Sequence, residues 1–171
     1  MVGDDGDELY QRLVLDHGRH PRNLGPLPGA THRARGDNPF CGDRWLVSLI
    51  VDGDRVRDVR CEGAGCAIST AAASMMSEAT RGKRRSDIED LWRRFDALVA
   101  PPPAPTSHSN PAADADADGP GAALPANPAP LGDLAAFAGV RRYPVRVKCA
   151  RLPWQTLLAA LAGTAATVST E

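Results

Sequence analysis

Hydrophobic positions along this chain recur at helical spacing, change to strict alternation, and then return to helical spacing. Between Asp7 and Gly18, Leu9, Leu13 and Val14 predict a short amphipathic helix capped by Asp7, and Gly18 and Pro21 oppose its continuation. After a Pro/Gly-rich connection, Ala30 to Arg35 predicts a short strand. From Trp45 to Val51 the side chains alternate with both faces largely apolar, as in a well-covered strand. Asp52-Gly53-Asp54 is a hairpin signal, and the return strand runs through Val56, Val59 and Cys61. The slip in phase between Val56 and Val59 places a bulge near Arg57-Asp58. An antiparallel sheet is the consequence. Helical spacing resumes from Ala67 to Arg81, with Ile68, Ala71, Met75 and Ala79 on one face and Gly82 as a stop. It recurs from Ser86 to Val99 through Ile88, Leu91, Trp92, Phe95 and Leu98. Leu134, Phe137 and Val140 predict a short helix before Tyr143-Pro144. A last helix is expected to open at Cys149, with Leu152, Leu157, Leu158 and Leu161 facing the core and Pro153 in its first turn.

The turns between these elements carry the chemistry. Asn38-Pro39-Phe40-Cys41-Gly42-Asp43 puts a thiol and a carboxylate two residues apart on one loop, which reads as half of a metal site. Cys66, after Gly63-Ala64-Gly65, and Cys149, after Val147-Lys148, can complete it. Three thiolates and one carboxylate suit tetrahedral zinc, and a thiolate set is also what an iron–sulphur cluster requires. At a helix N-terminus the exposed amides favour thiolate over thiol, which is the expectation for both Cys66 and Cys149. Cys61 falls in phase with Val59 and reads as a buried strand thiol. His17 and His20, three apart, have no thiol or carboxylate cluster beside them and read as a polar turn or partner surface. Met75 and Met76 read as core filler, and Lys83-Arg84-Arg85 as a solvated turn.

Composition narrows the picture. The chain has 171 residues, enough for one domain with a real core, and its 20 basic and 21 acidic residues leave a formal net charge of -1. No basic field points to nucleic acid or an anionic membrane, and no apolar run reaches the length of a membrane span. A cytoplasmic protein is expected, and in that compartment the four cysteines favour metal or redox chemistry over disulfides. From Ala100 to Pro130 the chain is almost all Pro, Ala, Asp, Gly, Ser and Asn, a composition that cannot bury a core. It is expected to be a disordered insert at 100–130 within a single domain spanning 1–171.

Leu13 to Asn23, Asn38 to Asp43, Gly63 to Met76 and Val145 to Leu158 together resemble the iron–sulphur cluster assembly family of the IscU, NifU N-terminal and SufU proteins. The chain looks most like the SufU branch. Lys148 precedes the last thiol where the IscU branch carries histidine, the Leu-Pro-Pro-Val-Lys chaperone-recognition stretch is missing, and the segment between Cys66 and Cys149 is long. Two features depart from the family pattern: Ala72 replaces a serine, and the insert is longer than usual. The resemblance implies an α+β fold, a small antiparallel sheet with helices packed on it and the site at one end. Carried over position by position, it implies that Cys41, Asp43, Cys66 and Cys149 are the zinc or cluster ligands. It further implies that Cys41 accepts persulfide sulphur from a SufS-type cysteine desulfurase, freed for attack by ligand exchange with that enzyme, and that downstream iron–sulphur assembly proteins receive it. Three functions therefore compete: a zinc-dependent sulphur acceptor, a scaffold on which an iron–sulphur cluster is built, and a purely structural zinc module.

Overall fold

The computed structural model describes residues 5–101, 131–163 and 167–170. Apart from Ala100 and Pro101, the insert expected at 100–130 lies outside the described residues. The element order is helix α1 (Asp5–Arg19), strands β1 (His32–Asn38), β2 (Asp43–Asp52) and β3 (Arg55–Ala64), helices α2 (Ala67–Thr80) and α3 (Arg85–Val99), a 3-10 helix (Gly132–Arg142), helix α4 (Pro144–Leu161) and strand β4 (Val168–Ser169).

The sheet has the order β3-β2-β1-β4. β1, β2 and β3 form an antiparallel meander, and the two-residue β4 adds parallel to β1 at Gly36 and Asp37. Ile50 pairs with Asp58 and Val51 with Val56, so Arg57 is the extra residue of a bulge where the phase slip predicts one. On one face of the sheet Ala34, Trp45, Val47, Leu49, Val56, Val59 and Cys61 are buried in a core shared with α2, α3, α4 and the 3-10 helix. Phe95 stacks on Trp154 at 5.1 Å between ring centroids and meets Phe137 edge-on at 5.4 Å, joining α3 to α4 and the 3-10 helix.

Four local readings of the sequence are corrected. α1 begins at Asp5, so Asp7 lies inside the helix, and it continues past Gly18 to Arg19. Glycine suits that crossing, because a Cβ at Gly18 would stand 3.2 Å from the Ala67 carbonyl oxygen at the start of α2. The first strand is displaced toward the Cys41 loop, covering His32–Asn38. α4 opens at Pro144, a favoured first-turn proline, which puts Cys149 in its second turn and Pro153 in its interior. His17 is 3 % exposed, a core histidine between α1 and α2 in place of a polar turn.

Candidate metal centre

The site lies where the β1–β2 turn, the start of α2 and the second turn of α4 meet. Asn38 and Asp43 are paired across the end of the meander, and residues 39–42 close the turn between them. Gly42 has φ +70°, a left-handed backbone that a side chain resists, so the sharp reversal that presents Cys41 depends on it. Cys66 is the N-cap of α2 and its sulphur accepts the Ser69 N–H at 3.4 Å. Gly65 keeps that approach open: a Cβ there would stand 2.8 Å from Asp43 Oδ1.

Among the described residues, the ligand atoms of Cys41, Asp43 and Cys149 all lie within 4.8 Å of one another. Cys149 Sγ is 3.0 Å from Cys41 Sγ. Asp43 is fully buried, with Oδ1 accepting the Cys66 N–H at 2.7 Å and Oδ2 the Asn38 amide at 3.2 Å. Three of the four residues singled out from sequence are thus brought together; Cys66 is outside that group of three and joins it at Asp43 through its backbone N–H. Cys61 is buried away from them in β3, and its thiol is pushed up to about 12 by burial alone.

Cys66 and Cys149 share their protons unequally. The hydrogen bond from Cys149, supported by the Ser69 N–H, holds the Cys66 thiol down at about 6. Cys149 moves the opposite way, raised by that same bond and by burial. The helix-terminus expectation therefore holds for Cys66 and fails for Cys149, which is buried a turn and a half inside α4. The Arg146 guanidinium, about one turn before Cys149, is held further toward its charged form, chiefly by the negative charge of Cys66.

Two contributors are not evident from sequence. Asn38 reads as a turn residue before proline, yet its amide bonds both Asp43 and Cys149. Arg146 sits in a basic, unpatterned run, and only the helical offset to Cys149 could have marked it. Around the thiols the surface is apolar and cationic: Phe40 is 74 % exposed, Tyr143 63 % and Val145 59 %, and Lys148 Nζ lies 4.9 Å over the Phe40 ring.

The chain is an α+β protein that gathers the Cys41 and Cys149 thiols and the Asp43 carboxylate at one end of a three-stranded meander, with Cys66 at the adjoining start of α2. The chain belongs to the NifU-like N terminal domain family, which matches residues 9–119. It is 36% identical to the zinc-dependent sulfurtransferase SufU of Bacillus subtilis (strain 168), covering 88% of each chain. It is 32% identical to the iron-sulfur cluster assembly scaffold protein IscU of Streptococcus pyogenes serotype M1, over 91% of this chain and 84% of the other. The fold is similar to the crystal structure of the SUF-system scaffold FiSufU from Fervidobacterium islandicum AW-1, with TM-score 0.68 and 28% identity over 93% of this chain and 99% of the other.

Proposed function

We propose that this protein serves iron–sulphur cluster assembly as a zinc-dependent sulphur acceptor, taking persulfide sulphur from a SufS-type cysteine desulfurase and passing it to downstream assembly proteins in the cytoplasm. Cys41, Asp43, Cys66 and Cys149 are the proposed ligands, Cys41 is the proposed acceptor, and residues 1–171 are read as one domain.

The observation that carries the proposal is the contrast between two thiols in contact: Cys41 sits at the tip of a turn beside exposed Phe40, whereas Cys149 is wholly buried. The donor set fits zinc. Sulphurs bound to one tetrahedral zinc stand about 3.8 Å apart, within the span over which these side chains already gather. Asp43 is fully buried and its two oxygens accept neutral N–H donors from Cys66 and Asn38, an arrangement to which a bound cation would add the opposite charge. When bound, zinc would hold the thiols as thiolates and supply that charge.

The chain's own residues supply the remainder. Asp43 and Cys149 anchor the site from β2 and α4, and Arg146 offers a positive charge beside Cys66. In transfer, the Cys41 thiolate attacks the terminal sulphur of the donor's persulfide. The donor's sulphur–sulphur bond breaks as the Cys41–sulphur bond forms, the donor cysteine departs as thiolate, and no net oxidation occurs. Phe40, Tyr143 and Val145, rimmed by Arg146 and Lys148, form the face offered to the donor enzyme.

The test is metal analysis of the purified protein, joined to desulfurase turnover with and without it. About one zinc per chain and faster turnover are expected, the stoichiometry of one four-ligand site. Iron with acid-labile sulphide in place of zinc would favour the cluster-scaffold reading, and zinc without any effect on turnover the purely structural one.

A further inference from the structure

Asn38 ends β1, and its side chain is 1 % exposed inside the site. A carboxamide has one accepting end and one end with two donors, and here both ends are engaged. Oδ1 accepts the Phe40 N–H at 3.2 Å, holding the turn that carries Cys41. Nδ2 donates to Asp43 Oδ2 at 3.2 Å and to Cys149 Sγ at 3.5 Å. One buried amide thus ties a carboxylate on β2 to a thiol on α4 that lies more than a hundred residues further along the chain. Cys41 is treated differently. Among the described residues its sulphur receives no hydrogen bond from Asn38, and it meets Cys149 directly.

From this geometry we infer that Asn38 is a positioning residue that divides the labour among the thiols, fixing Cys149 with Asp43 as a stationary pair and leaving Cys41 as the thiol that moves to take and give sulphur. The inference rests on the sulphur-acceptor reading of the site. Donors aimed at a sulphur and a carboxylate act only on those two groups, while the acceptor end serves the turn, so the two roles of Asn38 can be separated by substitution. Asn38→Asp keeps the shape and the acceptor for Phe40 N–H but has no donor to give. Asn38→Leu is close in volume, carries no charge and removes all three bonds.

The experiment alkylates metal-free full-length protein with iodoacetamide, maps labelling cysteine by cysteine, and records the visible spectrum after loading with cobalt(II). In the parent, Cys41 is expected to label fast and Cys149 slowly. Both variants should raise Cys149 labelling about ten-fold, the effect of releasing a buried sulphur from the hydrogen bond that holds it in place. Cys41 labelling should stay within about two-fold in Asn38→Asp, which keeps the acceptor for Phe40 N–H, and the cobalt–thiolate bands should shift in both variants. Parental Cys149 labelling and unchanged bands in Asn38→Asp would overturn the inference and leave Asn38 as a turn-former. A change in Asn38→Asp that Asn38→Leu does not share would also overturn it, since added charge would then be the cause. Labelling needs no desulfurase, so a parent that accepts no sulphur while its variants unmask Cys149 would remove the acceptor reading and leave the positioning role standing.

Discussion

Asp43 is the residue on which the site's internal bonding converges, since it holds both the Cys66 amide and the Asn38 side chain. Asp43→Ala removes the acceptor of the Cys66 N–H and one of the two acceptors of the Asn38 amide, a loss of about 1–3 kcal/mol. Urea unfolding of the metal-free variant should show that loss, and an unchanged midpoint would contradict the role given to the carboxylate. Cys61→Val should retain zinc and lie within about 1.5 kcal/mol of the parent, because it replaces one small apolar strand residue by another. Metal loss in that variant would mean that the wrong thiols have been assigned. The Cys66 thiol adds a pH dependence to the metal-free protein. Its folded value of about 6 lies below the ordinary 9.0, so its contribution is full above the unfolded value and is lost as pH falls through about 6. Thiolate ultraviolet absorbance that first develops near pH 9 would contradict this.

The elements were unequally legible in the sequence. Alternation from Trp45 to Val51 and the Asp52-Gly53-Asp54 turn specify β2 and β3 because successive side chains of a strand fall on opposite faces, and even the bulge at Arg57 follows from the phase. Cys66 was placed correctly because glycines before an alanine-rich run are a local signal. Cys149 was not: Pro144 reads equally as a break or as a first helical residue, and only packing on the core decides between them. His17 was misplaced for a similar reason. Its partner Ser74 lies 57 residues away on α2, with Nδ1 and the hydroxyl oxygen 2.8 Å apart, and that hydroxyl also accepts the Arg22 N–H. Burial, followed by the nearby Arg22, depresses the His17 pKa below 6.5, with Glu78, Asp16 and Asp133 acting weakly the other way. The unfolded chain therefore takes up a proton first, and stability present above pH 6.5 declines as pH falls below it. Unfolding midpoints measured from pH 7 to pH 5 should show this decline, and His17→Asn should flatten it. An equal slope in the variant would place the effect elsewhere.

At the scale of the whole molecule, the site exists because α4 lies hard against β1. A Cβ on Gly36 would clash with Thr156 Oγ1 and stand 3.0 Å from Leu152 Cδ1, both on the helix that carries Cys149. Gly36→Ala should therefore push α4 away from the strand that leads into the Cys41 turn, costing about 1–3 kcal/mol and weakening metal retention against a chelator. Parental stability and metal retention would show that the helix can shift without opening the site. No local pattern announces this contact, nor the pairing of β4 with Gly36 and Asp37, because both join segments more than a hundred residues apart. Cys41 and Asp43 at the β1–β2 turn and Cys66 at the start of α2 sit where local sequence constrains them, whereas Cys149 lies inside α4. Among the described residues no helix is long and apolar enough to cross a membrane.

Cys41 is the thiol proposed to receive sulphur. Parent protein and Cys41→Ala, each incubated with a cysteine desulfurase and cysteine, alkylated and mapped by mass spectrometry, test it directly. The parent should carry added sulphur on the Cys41 peptide, and Cys41→Ala should carry little on Cys66 or Cys149, even where Asp43, Cys66 and Cys149 still retain zinc with a water in the fourth position. Sulphur loading of Cys41→Ala equal to that of the parent would show that another thiol is the acceptor and that the proposed mechanism is wrong.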